Sequence, residues 1–335
     1  MTETPPKSTR PFFAAEYIGL LCVLTTLVTF FSLKSNYFFS LQTLSAVVNQ
    51  IPALTLVAIG MTFVLISGGI DLAVGSVLAL SSSVLGTLMV TYGFPIAFAV
   101  PAAILIGTLC GLVSGSVSVL AGIPSFIVSL GVLQIARGMS YVLTDSTSIY
   151  ISKSTGIQFI GERITGLGVS PAFLFAIGVV AVSQFVLHRT LFGRYCQAIG
   201  FNETVVRFSG IDTRWTRIGA FAICGALAAV AGFVETSRLS AVDPNAAIGF
   251  ELNAIAAAVI GGTSLMGGRG SMINTFIGVL IIAVLQTGLI QIGASEGAKY
   301  MTTGCAIVLA VLLDASRAGI GRFAQQVLGR RSPSA

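Results

Sequence analysis

Residues 72–136 read LAVGSVLALSSSVLGTLMVTYGFPIAFAVPAAILIGTLCGLVSGSVSVLAGIPSFIVSLGVLQIA, sixty-five consecutive positions without Asp, Glu, Lys, Arg or His, bounded by Asp71 and Arg137. One crossing of a bilayer as a helix takes about 20 apolar residues, so this stretch alone holds about three. Backbone amides find no water in hydrocarbon, which leaves helices or a closed barrel as the spanning structures. Barrel strands are about 10 residues long and alternate apolar with polar positions. This run does neither, so the spans are helical.

Outward from that run the same logic holds. The chain has 335 residues, of which 55% are hydrophobic and 9% charged. Soluble domains carry roughly 25% charged residues, so this chain cannot cover a water-facing surface of its own. Ten spans fit, at approximately 17–33, 47–67, 71–90, 95–120, 124–144, 169–188, 216–236, 250–264, 273–292 and 299–315. The first runs into Lys34-Ser35-Asn36-Tyr37 with no small-x-small cleavage pattern and reads as a retained span. Pro52 and Pro101 fall inside spans, where neighbouring helices can satisfy the freed carbonyls.

Orientation follows from the basic residues. With the N-terminus inside, inner segments hold twelve Lys and Arg, and outer segments hold five (Lys34, Lys153, Arg163, Arg238, Lys299); Arg137 within a span completes the eighteen. Both termini are therefore expected in the cytoplasm, as a tail at 1–16 and another at 316–335 flanking a membrane domain at 17–315. Two loops stand out, an outer polar one at about 145–168 and an inner, charge-dense one at about 189–215. The net charge of +6 sits in such loops and does not indicate nucleic-acid binding. Cys22, Cys110, Cys196, Cys224 and Cys305 are odd in number and scattered, and read as free thiols. Gly68-Gly69-Ile70-Asp71 with Gly75-Ser76 is echoed by Gly261-Gly262 and Gly267-Gly268-Arg269-Gly270-Ser271, each after an apolar span, which suggests a parallel internal repeat. Either glycine run is a loop or a re-entrant turn.

In the inner loop, Asn202 suits a helix N-cap, Glu203 the positive helix end and Gly210 the stop. Val205, Phe208 and Ile211 would then share one face. Such a helix either docks in a groove of a cytosolic partner or lies on the lipid surface with Arg189, Arg194 and Arg207 on headgroups. Asp71, at a span end, either belongs to a gate in the solute path or caps the next helix. Arg137, Glu235, Glu251 and Asp314 raise the same question, with Glu235 and Glu251 expected near the outer surface. Polar residues in spans (Asn49, Gln50, Thr62, Ser67, Ser125, Ser129, Gln134, Asn253), with Phe63 and Phe126 as walls, are candidates for a solute path; ordinary helix–helix hydrogen bonding is the competing role. Gly107-xxx-Gly111-xxx-Gly115 is a close-packing register.

Catalytic chemistry is missing. Gly262 to Gly268 has the spacing of a phosphate loop, but Gly268 stands where the lysine is required. His188 is the single histidine, which leaves neither a His-x-x-x-His metal site nor a convincing Ser–His dyad. No catalytic or metal site is expected, and ATP with its Mg would be bound by another polypeptide.

Four stretches resemble one family. Phe192-Gly-Arg…Ala198-Ile-Gly…Asn202-Glu…Ser209-Gly-Ile looks like the cytoplasmic coupling loop of the ribose-type sugar permeases of bacterial ABC importers, within the branched-chain amino acid/ribose permease superfamily. Ala58 to Ser76 (AIGMTFVLISGGIDLAVGS), Ile123 to Gly131 (IPSFIVSLG) followed by Arg137-Gly138, and Phe250 to Ser271 (FELNAIAAAVIGGTSLMGGRGS) resemble that family's other signatures in order. The resemblance implies an all-α, multi-pass permease of the bacterial inner membrane that works as a homo- or heterodimer. Cytosolic ATP-binding cassette subunits would drive it, and a periplasmic binding protein would deliver a sugar or sugar-like solute. Gly193, Arg194, Ala198, Gly200, Asn202, Glu203, Val205, Val206, Ser209 and Gly210 would couple to the ATPase. Gly68, Gly69, Gly75, Gly261, Gly262, Gly267 and Gly268 would be structural. The family usually has small residues where Val205 and Val206 stand, and often glycine at Phe201, so a shifted or family-specific ATPase groove is implied. Branched-chain amino acids or nucleosides are alternative solutes, and an ion-coupled secondary transporter using Asp71 or Glu251 is the alternative mechanism.

Overall fold

The computed structural model describes residues 10–152, 155–164, 166, 168–309 and 311–312; residues 1–9 of the tail expected at 1–16, Asp314 and the whole tail expected at 316–335 lie outside the described residues, while residues 10–16 belong to a helix. Among the described residues the helices follow in this order: α1 Arg10–Lys34, α2 Leu41–Ile66, α3 Val74–Gly86 continued by a π-helical turn Thr87–Thr91, α4 Ile96–Ala121, α5 Ser125–Leu143, α6 Pro171–Arg189, α7 Leu191–Phe208, α8 Thr213–Leu239, α9 Phe250–Ile260 and α10 Met272–Gln291. Residues 296–309 are also helical. Two short strands, β1 Ile149–Tyr150 and β2 Ala241–Val242, pair antiparallel within otherwise irregular connections.

Among the described residues, eight helices are long and apolar enough to cross a membrane. The chain is an all-α polytopic membrane protein. One expected span needs correction. The apolar run at 250–264 forms only the eleven-residue α9, about 16 Å of helix against a hydrocarbon core of about 30 Å, so it does not cross. Gly261 and Gly262 (φ +86°) stop it.

The centre of the bundle is α2, whose residues 51–66 are all buried, with α8, α10, α9 and α6 packed against it. Small residues set the approach. A Cβ on Gly60 would lie 2.9 Å from Cys224 Cα, and Cβ atoms on Gly107 and Gly111 would lie 2.6 Å from Gly225 O and 2.2 Å from Phe221 O. The glycine register of α4 thus fits directly onto the α8 backbone, as close-packed membrane helices require. Polar pairs align the remaining helices. Thr62 and Thr275 share a hydrogen bond at 2.9 Å, and Gln291 donates to Thr43 at 2.7 Å, which sets α2 antiparallel to α10. Ser83 and Ser140 pair at 2.7 Å, and Thr87 donates to Leu143 O at 3.1 Å, which sets α3 parallel to α5.

Two breaks in helical continuity shape the interior. After α2 the chain turns at Ser67-Gly68 and stays non-helical through 69–72 before α3 begins. After β2 the chain descends alongside α3: a Cβ on Gly86 would touch Val242, while one on Gly75 would lie 2.5 Å from both Ala247 O and Glu251 Oε2. Gly86 and Gly75 are eleven residues apart, so this non-helical segment drops by about 16 Å before α9 starts. Glu251, expected near the surface, is therefore deep: the partner glycine lies about 24 Å of helix from the Thr91 end of the α3 stack. Glu235 instead pairs with Arg238 at 2.5 Å in the last turn of α8.

Candidate functional site

The expected inner loop is more helical than its sequence suggested. Thr190 opens α7 by accepting from Gly193 N–H at 3.3 Å. A Cβ on Gly193 would fall 2.2 Å from Leu187 O, so only glycine permits this corner with α6. Cys196 and Ile199 face inward and are buried, Ala198 is half-buried and Arg194 is exposed. Burial pushes the Cys196 thiol up to about 12, which keeps it protonated and inert.

At Asn202 the backbone leaves helical geometry (φ −163°, ψ 96°). Its Oδ1 accepts from Val205 N–H at 3.1 Å, so it caps a second, short helix as its residue type indicated. Gly210 (φ +82°) follows the end of that helix. Glu203 accepts from Thr213 Oγ1 at 2.9 Å and pairs with Arg217 at 3.1 Å, fastening the short helix to the base of α8. Val206 packs inward, and Ser209 Oγ donates to Val205 O at 3.0 Å. Val205 and Phe208 are exposed, at 58% and 87%, as are Phe201 and Trp215 nearby in sequence, while Ile211 is half-buried.

Beneath α7 three segments meet backbone to backbone. Gly268 N–H donates to Ile66 O at 2.8 Å, joining the turn after α9 to the end of α2. Gly200 lies on that bond: a Cβ there would be 1.9 Å from Ile66 O and 2.2 Å from Gly268 N. Gly267 (φ +89°) rests on Gly200 and Gly68, and the Arg269 guanidinium sits 5.9 Å from the Phe201 ring centroid. The three atoms nearest a Cβ on Gly200 are all backbone, while the Phe201 ring covers Gly268.

From the junction the break at 67–73 leads inward. Gly68 (φ +80°) turns the chain, and Gly69 packs against Phe221. Serines on α5 replace the missing helical partners: Ile70 N–H donates to Ser125 Oγ at 2.9 Å and Leu72 N–H to Ser129 Oγ at 3.0 Å. Asp71 is buried and its Oδ1 accepts from Ala73 N–H at 2.9 Å, a turn just ahead of α3 and not a bond into the helix's first turn. An open cleft of about 450 Å³ lies between this break, the α4–α5 turn and Glu203, Arg207 and Arg217. Exposed Phe126 and part of Ser125 line it.

The remaining solute-path candidates are dispersed. Asn49 ties α2 to the start of α6, donating to Gly168 O at 3.0 Å and accepting from Ser170 N–H at 2.6 Å. Thr62 is consumed by Thr275, Phe63 packs on Phe192, and Ser67 Oγ donates to Val64 O at 2.8 Å. Asn253 accepts from Gln286 at 3.4 Å on α9, and Gly261 lies against Asn274. A further contact went unread in the sequence. Arg137 Nη1 donates to Pro244 O at 2.6 Å and Ala246 O at 2.9 Å, pinning the descending segment 243–249 to α5. The lone charge within an apolar span was its only signal.

Residues 43–312 match the family described as branched-chain amino acid transport system / permease component. The chain is 38% identical to the ribose import permease protein RbsC of Haemophilus influenzae, over 87% of this chain and 90% of the relative. It is 36% identical to the ribose import permease protein RbsC of Escherichia coli K12, over 93% and 98%. With the fructose import permease protein FrcC of Rhizobium meliloti it shares 31%, over 89% and 84%. No solved structure matches the chain. With most of its length matched on both measures, the chain belongs to the branched-chain amino acid transport system permease component family.

Proposed function

We propose that this chain forms the transmembrane path of an ATP-binding cassette importer for a sugar or sugar-like solute. It is a transport component and not an enzyme. The observation that carries the reading is the glycine junction, in which α7 bears on the ends of α2 and α9 through Gly200, Gly267 and Gly68. Relatives named as ribose, fructose and D-allose permeases support the solute class. In this reading the α7 end faces the cytoplasm, as the inner excess of basic residues favours. The exposed Val205, Phe208, Phe201 and Trp215 surface docks on a cytosolic ATPase subunit. A second permease subunit completes the path in the inner membrane, and a periplasmic binding protein delivers solute at the β-strand end. ATP and Mg belong to the ATPase. Closure of two ATPase subunits draws the α7 helices together, the junction moves the break at 67–73 and the start of the α10 turn, and access alternates.

Reconstitution tests it. Proteoliposomes holding this chain with its ATPase subunits and a ribose-loaded binding protein are expected to take up D-ribose only with ATP. Uptake by this chain alone, driven by a proton or sodium gradient and indifferent to ATP, refutes the proposal.

A further inference from the structure

Resting on that transport reading, we propose that Arg137, Tyr141, Asp243 and Asn245 form a binding site for a polyhydroxylated solute in the half of the path nearer the β-strands. The descent of 243–249 alongside α3 puts non-helical backbone at membrane depth, from the level of Gly86 to that of Gly75. Such backbone persists only where protein buries it or where it lines a water-filled cavity. Asp243 and Asn245 on this segment are exposed on this chain, and a carboxylate and an amide directed outward at membrane depth favour a water-filled path over hydrocarbon. Arg137 stands six residues before the end of α5, about 9 Å of helix from it. Among the described residues it has no ion pair, and a guanidinium facing hydrocarbon there is disfavoured.

The donors and acceptors left over match a sugar. Nη1 of Arg137 is occupied by the carbonyls of Pro244 and Ala246, and its remaining edge makes no hydrogen bond among the described residues. Tyr141, one turn further along α5, donates to Asn245 Oδ1 at 2.6 Å. Asn245 N–H and Nδ2 both donate to Asp243 Oδ1, at 2.8 and 3.3 Å, leaving the second carboxylate oxygen. A donor-only guanidinium bound to the same short segment, 243–246, that carries an acceptor-only carboxylate fits a row of hydroxyls, each of which both donates and accepts. Occupancy would also load the segment that leads into α9 and the glycine junction, which gives the solute a mechanical connection to α7.

Gln134, exposed one turn before Arg137, is the reporter position. In the assembled importer in nanodiscs, with the five native cysteines replaced by serine, Gln134→Cys is treated with a membrane-impermeant cationic thiol reagent. The probes are D-ribose, D-fructose and D-allose at high millimolar concentration, with the hydroxyl-free osmolyte betaine as comparison. The cysteine is expected to label, and a sugar at twice its dissociation constant to slow labelling by about threefold. Adding Arg137→Lys, which keeps the charge and loses the planar fork, is expected to leave labelling intact and abolish protection. Absence of labelling overturns the water-lined placement. Labelling that no sugar slows, or protection that survives Arg137→Lys, overturns the site. ATP-driven uptake by the unsubstituted importer is scored separately: its absence refutes the transport reading, whereas uptake with unprotected labelling refutes the site alone.

Discussion

Gly200→Ala is the sharpest test of the junction. The added Cβ would sit 1.9 Å from Ile66 O and 2.2 Å from Gly268 N, while ordinary van der Waals contact begins at 3.4 Å. Relief requires a retreat of about 1.5 Å by α7 or by the two turns, because every nearby atom is backbone and none can rotate away. A retreat of the turns parts Gly268 N–H from Ile66 O. Overpacking costs about 1–3 kcal/mol and a buried unsatisfied group about 1–3 kcal/mol, so the substitution is expected to destabilise by about 2–6 kcal/mol. If only 2 kcal/mol of that falls differently on the two access states, their ratio changes by about 30-fold. Thermal unfolding in nanodiscs should show the lowered Tm, and the assembled importer should hydrolyse ATP with little uptake. Gly178→Ala is the matched control, since its Cβ meets nothing within 4 Å and alanine favours the helix by up to about 1 kcal/mol. A Gly200→Ala importer with unaltered Tm and unaltered uptake would refute the direct transmission argued for α7.

Ser129→Ala, at a fully buried position, leaves the N–H of partly buried Leu72 without its partner, at a cost of about 1 kcal/mol, and hydrogen exchange at 70–73 should quicken. Asn202→Ala removes the cap of the second half of α7 and should cost about 0.5–2 kcal/mol; because this helix is proposed to dock, a pull-down should show weaker ATPase association. Gly111→Ala drives a Cβ to 2.2 Å from Phe221 O, and the overpacked α4–α8 seam should lose about 1–3 kcal/mol by Tm; an unchanged Tm would mean that the seam is looser than its geometry.

What the sequence made legible is what side chains report. Charge-free apolar length revealed the membrane spans, and Asn202 and Gly210 marked the helix in the charge-dense loop because capping is a local property. The error at 250–264 has the same origin. Hydropathy counts apolar side chains and does not register that the chain has already descended about 16 Å before α9 begins, a fact set by Gly75 and Gly86 on α3. Ser125 and Ser129 were legible as polar groups in a span, yet nothing local showed that their partners are the backbone amides of Ile70 and Leu72. The junction is the extreme case. Gly200, Gly267 and Gly68 contribute no side chain, so their sequence signal is only permission for close approach, and the chain must be folded to show that they approach one another. A mechanism carried by backbone contact is written in a sequence as absences, and an absence names no partner; the test of such a contact is therefore to add a single methyl group and observe which motion stops.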